Sequence, residues 1–431
     1  MSLKAILLPV LVALSFSACA SEGPRDGQGP LTAPAVQSKL TPKHAEPTAP
    51  SADIVRVGML LPLSGPYADV GRALLNAAAV SLFDTGDKRL VLVPRDTRGT
   101  AEGAQQAVNA LVAEGVDVIA GPLLAAEVRA AAVALKAAGS DIRLIGFSSD
   151  RSVAGGGVYL LSFMPEEEVR RVVEYAAAEG KKSFAALVPE TPYGDTVGRA
   201  FRAKVAAVGG SVADYVIYPP DAKGVMNPVK RIAHYDARVK AKAAEMTYLK
   251  TLADDPAAMQ AARASRPNPM ALPYQALLLP EGAALMRVMV PLLSYYDIDP
   301  GSVQLLGTGV WNDPSLARDP QLRGSWFAAP PQDKAQAFMD RYRSLYRSEP
   351  PRIATLAYDA VALVDSLADG AKDTRFSDAA LTDGNGFTGI DGIFRFTRDG
   401  VSERGLAVMT FGADGISLVS PAPTSFDSST Q

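Results

Sequence analysis

Hydroxyls, aromatics and single acids, rather than nucleophile–base pairs, are the residues of this 431-residue chain that could do chemistry. The stretch MLLPLSGPYADVGRAL, from Met59 to Leu74, reads as a buried strand that breaks at Ser64-Gly65-Pro66, presents Tyr67 and enters a helix. Ser148 and Ser149 in GFSSD, Tyr193 in ETPYGD, Glu281 in LLLPEGAAL and Trp311 in GTGVWN occupy similar strand-to-helix turns. Hydroxyls and a carboxylate at such turns suit hydrogen bonding to a small polar ligand, and aromatic rings suit its walls. The alternative for Ser64, Tyr67, Ser148 and Tyr193 is a plain role in turns and packing.

Catalytic patterns are missing. Ser64 in PLSGP is not a G-x-S-x-G elbow, and only two histidines, His44 and His234, could serve as a base. One cysteine, Cys19, leaves no disulfide and no Cys/His metal cluster. DGNGFTGIDGIF begins like a calcium loop but has Thr388 where glycine is needed and Phe394 where the bidentate glutamate belongs. AGGGVYL lacks the dinucleotide-binding glycine spacing. Glu166, Glu167 and Glu168 read as the acidic first turn of a helix. The expectation is a protein that is not an enzyme and has no cofactor and no metal. With 43 Lys+Arg against 46 Asp+Glu and no basic stripe, no nucleic-acid partner is expected either.

The elements that must position these residues begin after an export segment. Lys4, the apolar run Ala5–Phe16 and the small residues Ser17 and Ala18 precede Cys19. FSAC resembles a bacterial lipobox, which implies a signal peptide over 1–18, a lipid on Cys19 and, with Ala20 following, the outer membrane. Residues 19–52 are rich in Pro, Ala, Ser and Thr and read as a disordered tether. A flexible chain of that length spans about 30 Å. From Asp53 onward short apolar runs alternate with amphipathic stretches, which predicts an α/β fold with parallel sheets flanked by helices. Ala154–Glu168 marks a first crossing between two lobes, Arg323–Ala329 a second and FTGIDGIFRFTRDG a third. Lobe 1 is expected over 53–160 plus 330–392, and lobe 2 over 161–329 plus 393–420. A basic helical insert is expected over 237–273 and a disordered tail over 421–431. In such sheets the carboxyl ends of the strands face the cleft.

RVGMLLPLSGPYADVGRAL, VDVIAGPL, LIGFSSD, LLSFMPEEEVRRVVEYAAAEG and ALVPETPYGDTVGRAF together resemble the type I periplasmic-binding-protein fold of leucine-binding proteins. GPL, F-x-PEEE and GFTGIDGIFRF are further similar to LpoA-like penicillin-binding protein activators. In amino-acid-binding members of the fold, hydroxyl residues after the third strand hold the ligand carboxylate and an acid of the other lobe holds its ammonium. Here Ala125 and Ala126 stand at the hydroxyl places, and Val310 and Trp311 stand where the acid is expected, with Asp313 nearby and Glu281 as another cleft-side acid. The resemblance implies an outer-membrane-anchored periplasmic lipoprotein that regulates peptidoglycan synthesis by binding and activating a penicillin-binding protein. The alternative it implies is a solute-binding lipoprotein of an ABC transporter, for amino acids or another small polar ligand.

Overall fold

The computed structural model describes residues 53–426. The signal segment, Cys19 and the expected tether lie outside the described residues, as does the end of the tail. Five parallel strands build the first sheet: β1 (Val55–Leu61), β2 (Leu90–Asp96), β3 (Val118–Ala120), β4 (Arg143–Gly146) and β5 (Val158–Leu160), in the order β2-β1-β3-β4-β5. The inner strands β1 and β3 are apolar nearly throughout because both faces are covered, while the edge strand β2 is partly exposed. Helices Ala68–Thr85 and Ala354–Leu367 pack on one face, with Leu74, Ala77, Val361 and Val364 in the core. Helices Ala101–Ala113 and Ala125–Ala137 cover the other, with Val108, Leu111 and Val128 inside.

The second lobe repeats the plan with its own two cores. Strands β6 (Ser183–Pro189), β7 (Ser211–Tyr218), β8 (Ala276–Leu278), β9 (Gln304–Gly307) and β10 (Trp326–Ala329) run parallel. Helix Pro165–Ala178 opens this lobe. Pro165 suits the first turn, three glutamates favour its positive end, and Val169, Val172, Val173 and Ala176 form a fully buried stripe.

A small antiparallel sheet follows: β11 (Phe387–Gly389), β12 (Gly392–Phe396) and β13 (Ser402–Arg404). Then β14 (Ala407–Gly412) and β15 (Gly415–Ser420) add antiparallel edges to the second sheet, giving β15-β14-β10-β9-β8-β6-β7. Phe394 and Phe396 lie in the core of lobe 1, where Phe396 meets Tyr159 edge-on at 5.3 Å. The third crossing therefore falls between Arg404 and Ala407, later than the 392/393 boundary expected from sequence. The F-R-F alternation puts both rings on one face, and that face belongs to lobe 1.

The crossings meet at a polar and aromatic knot. The guanidinium groups of Arg352 and Arg404 each lie over the Phe163 ring, 4.9 Å from its centroid. Arg404 donates to the Ser162 carbonyl at 3.1 Å and to Asp359 at 3.3 Å, while Arg352 forks onto Asp391. The insert forms helices Tyr235–Lys250 and Pro256–Ser265, largely exposed. Arg238 and Leu249 are buried. The Arg238 guanidinium donates to four carbonyls: Met270 at 2.8 Å, Ala233 at 3.0 Å, Tyr296 at 3.2 Å and Asp297 at 3.0 Å.

Residues 421–426, expected to trail free, instead bridge the lobes. Ala422 packs on the lobe 2 core, and the Pro423 carbonyl lies over Gly405. Phe426 stacks under the Arg395 guanidinium at 4.6 Å and beside Gly386, both in the small sheet attached to lobe 1. Two prolines stiffen this passage, and an aromatic end has a cation to rest on.

Candidate functional site

The strand ends of both sheets carry the loops singled out from the sequence. In lobe 1 the loop after β1 is organised by Asp96 at the end of β2. Its Oδ1 accepts from the amides of Leu63 at 2.8 Å, Ser64 at 3.2 Å and Arg98 at 2.8 Å, and its Oδ2 accepts the Ser64 hydroxyl at 2.6 Å. Burial works against the charge of Asp96, but these hydrogen bonds outweigh it and hold the carboxyl below its ordinary range. Ser64 is thus engaged in shaping its own loop. Gly65 has φ +79° with the Arg98 carbonyl close against it, a conformation and a contact that need glycine. Tyr67 is 42% exposed, with one ring edge over Gly99.

The helix Ala125–Ala137 begins at the end of β3. Its first turn is closed from within the chain by Glu127, which is fully buried. One carboxylate oxygen accepts the Leu124 amide at 3.0 Å, and the other accepts the Thr97 hydroxyl. Burial raises the Glu127 carboxyl above its usual range, and both hydrogen bonds oppose that rise. Sequence reasoning had passed over Glu127. Its signal was a glutamate three residues after Leu124, the residue that caps the helix start. After β4, Ser148 is buried and accepts the Asp150 amide at 3.1 Å, while Ser149 is exposed.

Lobe 2 contributes acids and phenols. Tyr193, in the first turn of helix Pro192–Ala207, shares a hydrogen bond of 2.8 Å with Thr308 after β9. Tyr218, at the end of β7, donates to Glu281 Oε2 at 2.5 Å, and Glu281 Oε1 accepts the Gly282 amide at 2.8 Å. Glu168 reaches from the helix Pro165–Ala178 to accept the Gly309 amide at 2.9 Å. Burial pushes the Glu168 carboxyl up to about 7, against the pull of that amide. The buried neighbourhood likewise raises the Tyr193 and Tyr218 hydroxyls. Among the described residues, neither Glu168 nor Glu281 is in an ion pair.

Trp311 does not belong to this wall. It is fully buried, and its ring packs against Phe327 at 6.4 Å and Phe411 at 6.0 Å in the lobe 2 core. The short 3-10 turn Gly309–Trp311 turns the indole back over Gly307 and leaves Val310 41% exposed in its place. Asp313 caps its own turn by accepting the Ser315 amide at 2.8 Å. His234 pairs with Asp214 at 2.7 Å, and no serine or cysteine joins that pair. Among the described residues no group of His, Cys, Asp and Glu is arranged to hold a metal ion, and no helix is long and apolar enough to cross a membrane.

Two lobes built on parallel sheets and joined by three crossings match a known family over residues 54–415, described as "Periplasmic binding protein". The chain belongs to this family. No curated protein sequence matches it. Among solved structures, a branched-chain amino acid ABC transporter protein of Rhodospirillum rubrum superposes with a TM-score of 0.66 at 17% identity, covering 85% of this chain and 100% of that one. A periplasmic ligand-binding protein of a Burkholderia xenovorans branched-chain amino acid ABC transporter gives 0.61 at 18%, covering 86% and 96%. A solute-binding protein of R. palustris in complex with benzoate gives 0.57 at 16%, covering 87% and 98%. At such identities the likeness is one of fold.

Proposed function

We propose that this periplasmic binding protein is the solute-binding component of an ABC transporter, lipid-anchored at Cys19, and that its interlobe cleft takes up a small polar ligand. The supporting observation is the polar groups left exposed or half-buried at the strand ends: Tyr67 and Ser149 on lobe 1, and Tyr193 and Glu281 on lobe 2. Binding without chemistry fits the same residues, since none forms a nucleophile–base pair. The structures it resembles are transporter proteins. The reading as a penicillin-binding protein activator, expected from the sequence motifs, draws no support from them.

In-cell crosslinking of the envelope followed by pull-down separates the two. Recovery of ABC permease subunits is the expected outcome. Recovery of a peptidoglycan synthase without permease subunits overturns the transporter reading.

A further inference from the structure

We infer that lobe 1 carries a second binding site, a groove for a phosphate-bearing anion with two or more negative charges. The groove lies at the amino ends of β4 and β5, the opposite end of the sheet from the loops of Ser64 and Ser148. It is therefore separate from the proposed solute site and does not depend on it.

Two adjoining hollows of about 480 and 570 Å³ make the groove, and both are lined by Arg143 and by the turn Gly155–Val158. The turn is closed by two hydrogen bonds: the Gly155 amide donates to the Val158 carbonyl at 2.9 Å, and the Val158 amide to the Gly155 carbonyl at 3.1 Å. Gly156 and Gly157 form its tip, with φ of +62° and +92°. Among the described residues neither of their amides has an acceptor. The space that a Cβ of Gly156 would fill is open, and a Cβ of Gly157 would lie 3.7 Å from the Arg143 side chain. Successive amides left unpaired in such a turn are suited to an anion, and here a guanidinium stands beside them.

Side chains extend the positive charge to both sides of the turn. Arg398 lines the first hollow, and Arg129 and Lys136 line the second. All three are exposed. The acids of the groove are Asp378 and Asp141. Asp378 is already engaged by Arg143 and by the Tyr159 hydroxyl, each at 2.7 Å. Nearby Asp399 is paired with Arg151 at 3.4 Å. Four cations thus face two acids, one of which is neutralised in place. Cations on both sides of a set of free amides suit a ligand charged at more than one point. Phosphate oxygens match both kinds of donor, because each accepts from amides and from a guanidinium fork.

The test is calorimetric titration of the full protein at low salt. The probes are inorganic pyrophosphate, citrate and two soluble short-chain lipids, dihexanoyl phosphatidic acid and dihexanoyl phosphatidylcholine. Saturable binding of pyrophosphate, of the phosphatidic acid or of both is expected, weakening as salt is raised. Pyrophosphate without the phosphatidic acid identifies a free phosphate compound as the source, and the reverse identifies a lipid headgroup. Lys136→Gln combined with Arg398→Gln should lower that affinity about tenfold, with the melting temperature close to that of the parent because both side chains are exposed. Binding of neither pyrophosphate nor phosphatidic acid overturns the site. Citrate or phosphatidylcholine binding as tightly as they do overturns the ligand class. Unchanged affinity in the double variant overturns the assignment to this groove.

Discussion

Arg238 offers the sharpest test of the physical reasoning, because its surroundings contain a charge and no counter-charge. Arg238 is 6% exposed, and all four acceptors of its guanidinium are backbone carbonyls. Ala233 ends the helix Met226–Ile232, and Tyr296 ends the helix Ala283–Tyr295, so two negative helix ends converge on it. Each hydrogen bond from a charged donor contributes about 1.5–3 kcal/mol. Four of them sum to roughly 6–12 kcal/mol, but the desolvation of a buried guanidinium offsets several kcal/mol of that. Arg238→Met removes the cation and strands the carbonyls, with an expected loss of about 3–5 kcal/mol. Arg238→Lys should lose less, because an ammonium reaches some of the carbonyls but cannot fork across all of them. Urea unfolding followed by tryptophan fluorescence is well suited, since both tryptophans, Trp311 and Trp326, lie in lobe 2 with Arg238. A loss under about 1 kcal/mol for Arg238→Met would mean that the clamp is not what holds the insert to the lobe.

Two further outcomes follow from buried groups. Trp311→Ala should cost about 3–5 kcal/mol by opening a core cavity, while ligand affinity measured on the remaining folded protein stays within a few-fold of the parent; a selective loss of affinity would return Trp311 to the cleft. Glu168 titrates near 7 in the folded chain against an ordinary value of 4.5. The folded state therefore holds a proton that the unfolded chain has released, and the stabilisation present below about pH 4.5 is lost as pH rises through about 7. Burial of Asp359 raises its carboxyl and acts in the same direction. Melting temperature measured from pH 4 to 8 should fall less steeply in Glu168→Gln than in the parent, and equal slopes would contradict the burial of that acid.

The alternation of strands and helices was legible in the sequence, because apolar runs and 3.6-residue stripes such as Val169–Ala176 answer to local periodicity. The turn at Ser64 was legible as a cleft loop, since serine, glycine and proline announce a break. What the hydroxyl does there was not, because its partner Asp96 is 32 residues away. Glu168 was read as a helix-start acid, which describes its position; its contact with Gly309 spans 141 residues and leaves no local trace. Trp311 misled for a related reason. A tryptophan after a strand end suits a cleft wall or a core equally, and only the space over Gly307 decides between them. The basic insert likewise promised an exposed surface, yet Arg238, its first arginine, is buried among backbone carbonyls. Charge runs say how many cations there are but not which one a set of helix ends will draw in.

The passage from Ala422 to Phe426 has a mechanical consequence. Three covalent crossings act as pivots, and a pivot alone stores little energy when one body turns on another. A segment fastened to lobe 2 at Ala422 and resting on lobe 1 at Arg395 works in parallel with them. It adds a non-covalent link between the lobes whose span is set by the few residues from Ala422 to Phe426. Lengthening or shortening it changes the torque on the lobes while leaving every cleft residue in place, so domain angle and binding chemistry can be tuned on separate parts of the chain.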